Sequence, residues 1–280
     1  AVVMFLFCFF TTTERLEHEV EEKPFREQLS LLLKNDQWLI LCGVCVLGTT
    51  GYVVRGSVAL YYAKYYLGGD AGLQSMFLST GVGAAILAMV ASTWITKRYC
   101  KVKLFRFSQM AVGVLSLLMY FAVGPNDIAL AFILFFLISF VVDLHAPIFW
   151  SAIAEVVDYG ESKTGKRVAG LAFGGISFCQ KAGMGVAGAL VGWLLAYFEY
   201  EASAQQSEFT LMGIVLMLTI IPGAFHYLVG WLMNRYKITD EEYKSLSAVV
   251  QANRKAAIVS GDVQLDATAQ QTADMASGVK

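Results

Sequence analysis

The sequence predicts an all-α membrane protein with six spanning helices. Three observations carry that reading: a composition rich in apolar residues and poor in charge, six apolar segments of membrane length, and a strict alternation of basic and base-free connections. Of 280 residues, 57% are hydrophobic and 15% charged, against roughly 45–50% apolar and 25% charged in soluble domains. Apolar stretches at about 38–62, 73–95, 104–123, 128–154, 168–197 and 209–233 each reach the roughly 20 residues that cross a hydrocarbon core. Lysine and arginine crowd the connection before the first stretch, residues 97–106 (five), residues 163–167 (three) and the tail, whereas 67–72, 124–127 and 199–208 hold none. By the positive-inside rule the basic connections and the C-terminus face the cytoplasm. The expected location is the cell's inner membrane, crossed several times.

Composition also excludes classes of function. A net charge of −1 gives no polycation for nucleic acid. Cys42 and Cys45 form a C-x-x-C inside an apolar segment with no second pair beside it, which reads as small residues packing in lipid rather than a zinc or redox site. His18, His145 and His226 form no H-E-x-x-H or comparable cluster, so no enzymatic constellation is expected, and no cofactor and no metal site in this stretch.

Taken in order, residues 1–11 read as the end of a preceding transmembrane helix, since ten apolar residues cannot span by themselves. The chain is therefore expected to be a fragment. Residues 12–37 read as a cytoplasmic middle loop in which Pro24 opens a short amphipathic helix with Phe25, Leu29, Leu32 and Leu33 on one side. Residues 38–234 form the six-helix bundle. Tyr61, Tyr62, Tyr65 and Tyr66 at one boundary, and Trp231 and Tyr236 at another, read as interfacial anchors. Residues 235–280 form a cytoplasmic tail, with a short helix at 239–255 and disorder beyond about Ile258.

The helix at 168–194 carries the most informative pattern. At helical spacing one face collects Gly170, Gly174, Ser177, Lys181, Gly185, Gly188 and Gly192, and small residues let neighbouring backbones approach closely in lipid. Lys181 lies roughly 20 Å from either end at about 1.5 Å per residue, too deep to snorkel comfortably. An ammonium there costs about 2.5–3.5 kcal/mol even on the lenient insertion scale, so it is expected to face protein or a water-filled path. A packing stripe with a snorkelling lysine is the plainer alternative.

Arg55, Asp143 and Lys181 share a depth to within a turn or two. Buried opposite charges at one depth find each other, so an Arg55–Asp143–Lys181 cluster lining a central cavity is expected, with Asp143 paired to one of them as structural glue as the alternative. Pro147 deprives the Asp143 carbonyl of its helical partner, as in the broken helices of transporter sites or as a kink for packing alone. His145 beside it is a proton shuttle or a simply hydrogen-bonded histidine. Pro222 does the same to Leu218 with no charge beside it, and reads as structural.

Residues 160–167 match G-x-x-x-x-G-K, but Arg167 stands where a phosphate loop needs Ser or Thr and no strand precedes. The nucleotide reading fails. The same stretch concentrates Glu155, Asp158, Glu161, Lys163, Lys166 and Arg167 at the cytoplasmic mouth, as a gate of exchangeable ion pairs or as a solvated loop.

The run E-V-V-D-Y-G-E-x-K-x-G-K-R at 155–167, with Lys181 twenty positions beyond Glu161 on a small-residue helix, resembles the glycoside–pentoside–hexuronide:cation symporters. These form the melibiose-permease-like branch of the major facilitator superfamily. Arg55-Gly56 with Tyr61-Tyr62-Ala63-Lys64-Tyr65, and Phe10-Thr-Thr-Thr-Glu-Arg15, add to the likeness, which runs to about residue 245. The resemblance implies twelve helices in the parent, of which this chain holds the end of the sixth and helices seven to twelve, the C-terminal half of a major facilitator fold. It implies a sugar substrate, Na+ or H+ as coupling cation, a missing N-terminal six-helix half as partner, and alternating access. Lys181 matches the family's lysine associated with sugar and cation binding, with Asp143, Arg55 and Ser177 beside it on the expected pathway. Asp158 and Arg167 match its cytoplasmic charged network, with Glu155 where aspartate is usual and Glu161 completing the gate. Ile176 and Ser177 replace the Gln and Thr of the melibiose branch, which points away from melibiose itself. The other classes left open are a facilitator for a non-sugar solute and a membrane scaffold without transport.

Overall fold

The computed structural model describes residues 2–12, 24–202 and 204–259. Arg15 and most of the polar run before Pro24, and the tail expected to be disordered, lie outside the described residues. Among the described residues every regular element is a helix. Six rods are long and apolar enough to cross a membrane: Asp36–Tyr66, Ala71–Ile95, Lys101–Ala122, Ile128–Thr164, Ala169–Tyr197 and Glu208–Arg235. They coincide with the six apolar segments.

Helix α1 (Val2–Thr11) has every residue exposed. Helix α2 (Phe25–Leu33) starts behind Pro24 and buries Leu32. Leu29 and Leu31 lean inward beside it, but Phe25 and Leu33 are exposed, so the apolar face is rotated from the expected one.

Helix α3 (Asp36–Tyr61) is the central rod. Asn35 caps it, its Oδ1 accepting from the Trp38 amide at 3.0 Å while its Nδ2 donates to the Val156 carbonyl at 2.8 Å. The cap thereby fixes the start of α3 and ties it to α7 (Ala146–Thr164). Helix α8 (Ala169–Tyr197) lies along α3. The approach is set by Gly175 and Gly183, where an added Cβ would sit 2.5 Å from the Trp38 ring and 2.9 Å from the Val46 carbonyl. Neither glycine belongs to the stripe singled out above.

Around this pair stand α4 (Ala71–Ile95), α5 (Lys101–Ala122), α6 (Ile128–Asp143), α9 (Glu208–Leu218) and α10 (Ile220–Leu232), with α4 against α6 and α5 against α10. One apolar core, with Val54, Phe77, Phe135 and Ile138, fills the base-free end. A second, with Trp38, Phe105, Ile153 and Ile176, fills the basic end. Helix α3 continues as a wider turn over Tyr62–Tyr66. Tyr62 is 1% exposed and stacks on Phe77, the Tyr66 hydroxyl donates to the Val123 carbonyl at 3.0 Å, and Tyr65 meets Tyr200 at 3.1 Å. The anchor reading fails for Tyr62, which belongs to the core, and for Tyr236, 5% exposed. Tyrosines counted along one boundary do not reveal which of them points inward. Helix α11 (Asp240–Val259) packs on α7.

Candidate functional site

Two rods break beside a proline, and the breaks frame the deepest charges. Helix α6 ends at Asp143 and α7 begins at Ala146, with Pro147 in its first turn. Proline there is harmless to the new helix and deprives the Asp143 carbonyl of its helical donor. Side chains reach the carbonyls on either side of it. The Leu144 carbonyl accepts from Ser92 Oγ at 2.8 Å, and the Val142 carbonyl from Gln109 Nε2 at 3.3 Å and from His145 Nδ1. That amide orientation turns Gln109 Oε1 toward His226 Nδ1, 2.7 Å away. In this arrangement the Nδ1 of each histidine faces an oxygen acceptor, which favours the proton on Nδ1. His226 Nε2 is buried without a partner among the described residues.

The second break corrects the reading of Pro222. Helix α9 ends at Leu218, and α10 begins after Thr219. A charge does stand there: Arg55 Nε donates to the Leu218 carbonyl at 3.1 Å, and Nη2 donates to Ser116 Oγ at 2.8 Å. A cation at a helix C-terminus is favoured, and the carbonyl that Pro222 leaves open receives a charged donor. Arg55 and Leu218 lie 163 positions apart, so no local pattern announced the contact. Arg55 Nη1 is buried and unpartnered among the described residues.

The three deep charges do not assemble as one cluster. Arg55 and Asp143, 6% and 8% exposed, feel each other's charge without forming a direct ion pair. Lys181 stands apart. It lies on an exposed face of α8 with Ser177, and added Cβ atoms at Gly170, Gly174, Gly185, Gly188 and Gly192 would meet nothing within 4 Å. The stripe is real, but this bundle packs against the opposite face of α8.

About 100° round the helix from Lys181, Gln180 lines a cavity of about 240 Å3 between α3, α7, α8 and α10. Thr49 and Tyr52, His145 and Trp150, and His226 complete its polar and aromatic wall. Tyr52, Trp150, Gln180 and His226 were missed in the sequence. Gln180 and His226, polar residues in mid-span, were the visible signals; the aromatics are indistinguishable from core residues until their direction is known.

At the basic end Arg167 Nη1 donates to Asp158 at 2.6 Å and to Glu161 at 2.8 Å. Gly165, at φ +67°, ends α7 in the left-handed conformation, a usual place for glycine, and lets the chain turn so that Arg167 reaches back. Glu155 does not join this group; it is buried and pairs with Lys101 at 2.5 Å, and Lys101 reaches Asp240 at 3.4 Å. Tyr243 donates to Asp158 at 2.9 Å, and burial and that bond push its phenol up to about 12. Lys163 pairs with Asp36 and Lys166 with Glu27. The sequence reading missed Lys101, Asp240 and Tyr243, which come from other connections.

Comparison with known proteins agrees with this architecture. The profile of the family described as MFS/sugar transport protein matches residues 1–240. The putative glycoside/cation symporter YagG of Escherichia coli (strain K12) is 35% identical over 257 residues, which cover 91% of this chain and 55% of that protein. The isoprimeverose transporter of Lactiplantibacillus pentosus is 30% identical over 257 residues, 90% of this chain and 52% of its own length. The chain thus spans about half the length of the curated relatives it matches. In structure it resembles FucP, a major facilitator transporter crystallised in the outward conformation, with a TM-score of 0.61 at 15% identity, over 85% of this chain and 52% of that one. Six membrane-length rods, two of them broken, thus belong to an integral membrane protein, and the chain is a member of the MFS/sugar transport family, the glycoside–pentoside–hexuronide group within the major facilitator superfamily.

Proposed function

We propose that this chain is the C-terminal half of a secondary active transporter that imports a glycoside, pentoside or hexuronide together with Na+ or H+. The observation that carries the reading is the uncovered face of α8, a row of glycines with Lys181 and Ser177 at its centre, left open among the described residues. A lysine at that depth needs protein or water before it, and a second six-helix bundle across a solute path supplies both. The cavity beside it, at about 240 Å3, falls short of the roughly 300–1,000 Å3 of a complete ligand site. It forms one wall of a larger site, with Trp150 and Tyr52 for the apolar face of a sugar ring and Gln180, His145 and His226 for its hydroxyls. Lys181 donates to those hydroxyls or answers the cation-site carboxylates of the other half. Alternating access then rocks the two bundles about this site. The Arg167–Asp158–Glu161 and Lys101–Glu155–Asp240 groups form ion pairs at the cytoplasmic mouth that open and close with the cycle. The orientation with middle loop and C-terminus inside follows from the charge of the connections.

The test is uptake of a panel of glycosides, pentosides and uronides into proteoliposomes containing the protein with its whole native chain, with and without a sodium gradient. Lys181→Ala is expected to lower gradient-driven uptake at least tenfold. Undiminished driven uptake by that variant removes Lys181 from the mechanism.

A further inference from the structure

The cavity between α3, α7, α8 and α10 has a surface that the hydroxyls of a sugar do not use. On α3, Val44, Gly48 and Tyr52 follow one another along its wall at steps of four. Eight residues at about 1.5 Å each make that wall about 12 Å long. The rim is open, with Tyr52, Trp150 and Met184 exposed. The floor is buried and apolar, formed by Val44, Cys45, Phe149 and Val229. The histidines of the wall are partly committed to the protein: His226 Nδ1 to Gln109 at 2.7 Å, and His145 Nδ1 to the Val142 carbonyl. His226 Nε2 is the one buried side-chain atom of the wall left without a partner among the described residues.

A sugar ring carries several hydroxyls, and a hydroxyl buried without a partner costs more than its burial gains. One spare acceptor does not answer them, so a bare ring is kept from the floor, which favours hydrocarbon instead. There is room for it. An apolar cavity of about 150 Å3 takes benzene, and this one has about 240 Å3. A lipid chain would fill such a floor too, but it has no use for the polar groups beside it. Gln180 at the cavity is the chain neighbour of Lys181, so the space adjoins the face proposed above for the sugar.

We propose that this floor is a subsite for the apolar aglycone of a glycoside, an aryl or short alkyl group on the anomeric oxygen. The ring itself stays at the rim, beside Tyr52, Trp150 and Gln180, with its hydroxyls toward water and the Lys181 face. The proposal rests on the transport reading above and narrows its substrate classes to glycosides that carry a hydrocarbon group. Each CH2 buried in the floor then favours binding about fourfold.

The test is competition in proteoliposomes containing the protein with its whole native chain. Uptake of a labelled sugar that the panel shows to be carried is inhibited with the methyl, butyl and phenyl glycosides of that sugar. The butyl and phenyl glycosides are expected to inhibit at concentrations at least tenfold below the methyl glycoside. Gly48 supplies the variants. It lies one turn from Val44 on the cavity wall, and an added Cβ there meets only Val229 Cγ2, at 3.7 Å, an ordinary contact. Gly48→Ala and Gly48→Val are expected to shrink the butyl-to-methyl preference stepwise, at least fivefold in Gly48→Val. The preference is a ratio within one preparation, so a lower yield of folded variant does not move it; where Gly48→Val yields no transport, Gly48→Ala decides. A preference that survives in the Gly48 variants comes from partition into the bilayer and overturns the proposal. Sugar uptake with equal inhibition by all three glycosides overturns it as well and leaves the transport reading standing. No uptake of any member of the panel removes both.

Discussion

Arg55 shows how much one side chain holds in place. Its planar fork reaches a carbonyl of α9 and a hydroxyl of α5 from α3. Lysine keeps the charge but offers donors from a single point, so Arg55→Lys is expected to lose one of the two contacts. A hydrogen bond to a charged group is worth about 1.5–3 kcal/mol, which lowers the midpoint of thermal unfolding by at least about 3 °C in a chain of this size. Circular dichroism in detergent reads it, and an unmoved midpoint says that the α9–α10 break holds without Arg55. The charge and depth of Arg55 were legible in the sequence. Its partners were not, because they lie 61 and 163 positions away on helices whose rotation no single segment defines.

At the level of elements, α8 has two glycine faces with different work. Gly183 meets α3, where an added Cβ would lie 2.9 Å from the Val46 carbonyl, whereas Gly185 faces open space. Gly183→Val is therefore expected to force α3 and α8 apart at about 1–3 kcal/mol. Gly185→Val is expected to leave the unfolding midpoint where it was and to lower sugar uptake in the protein with its whole native chain, by crowding the face proposed to meet the other half. Thermal unfolding and uptake measured side by side check this; a larger loss of stability in Gly185→Val than in Gly183→Val contradicts the assignment of faces. Spacing along the helix revealed the longer stripe but not its direction, since small residues pack equally well against a near neighbour or a distant one.

Across the whole molecule, the basic end is tied together by groups from four connections. Helix α11 is strapped there by Asp240 to Lys101 and by Tyr243 to Asp158. Tyr243→Phe removes one bond to a charged acceptor and is expected to speed amide exchange over 240–252 roughly tenfold, with exchange in α5 unchanged. Mass-spectrometric hydrogen exchange measures both, and unaltered protection over 240–252 shows that apolar contacts such as Val250, 3% exposed, hold α11 instead. The acids and bases of 155–167 were legible as a charged mouth. That Glu155 would turn from Arg167 to Lys101 was not, because Lys101 comes from another connection, 54 positions away.

The number of spans and their lengths follow from the sequence alone, because hydropathy acts residue by residue against a slab of fixed thickness, and the charge of the connections adds an expected sidedness. Depth follows too, since rise per residue converts position into distance from the interface. Which deep charges meet, which glycines touch, and which broken carbonyl receives a donor were decided by tertiary structure. Those outcomes depend on the rotation of each helix about its axis, and that rotation is set by neighbours far away in the chain.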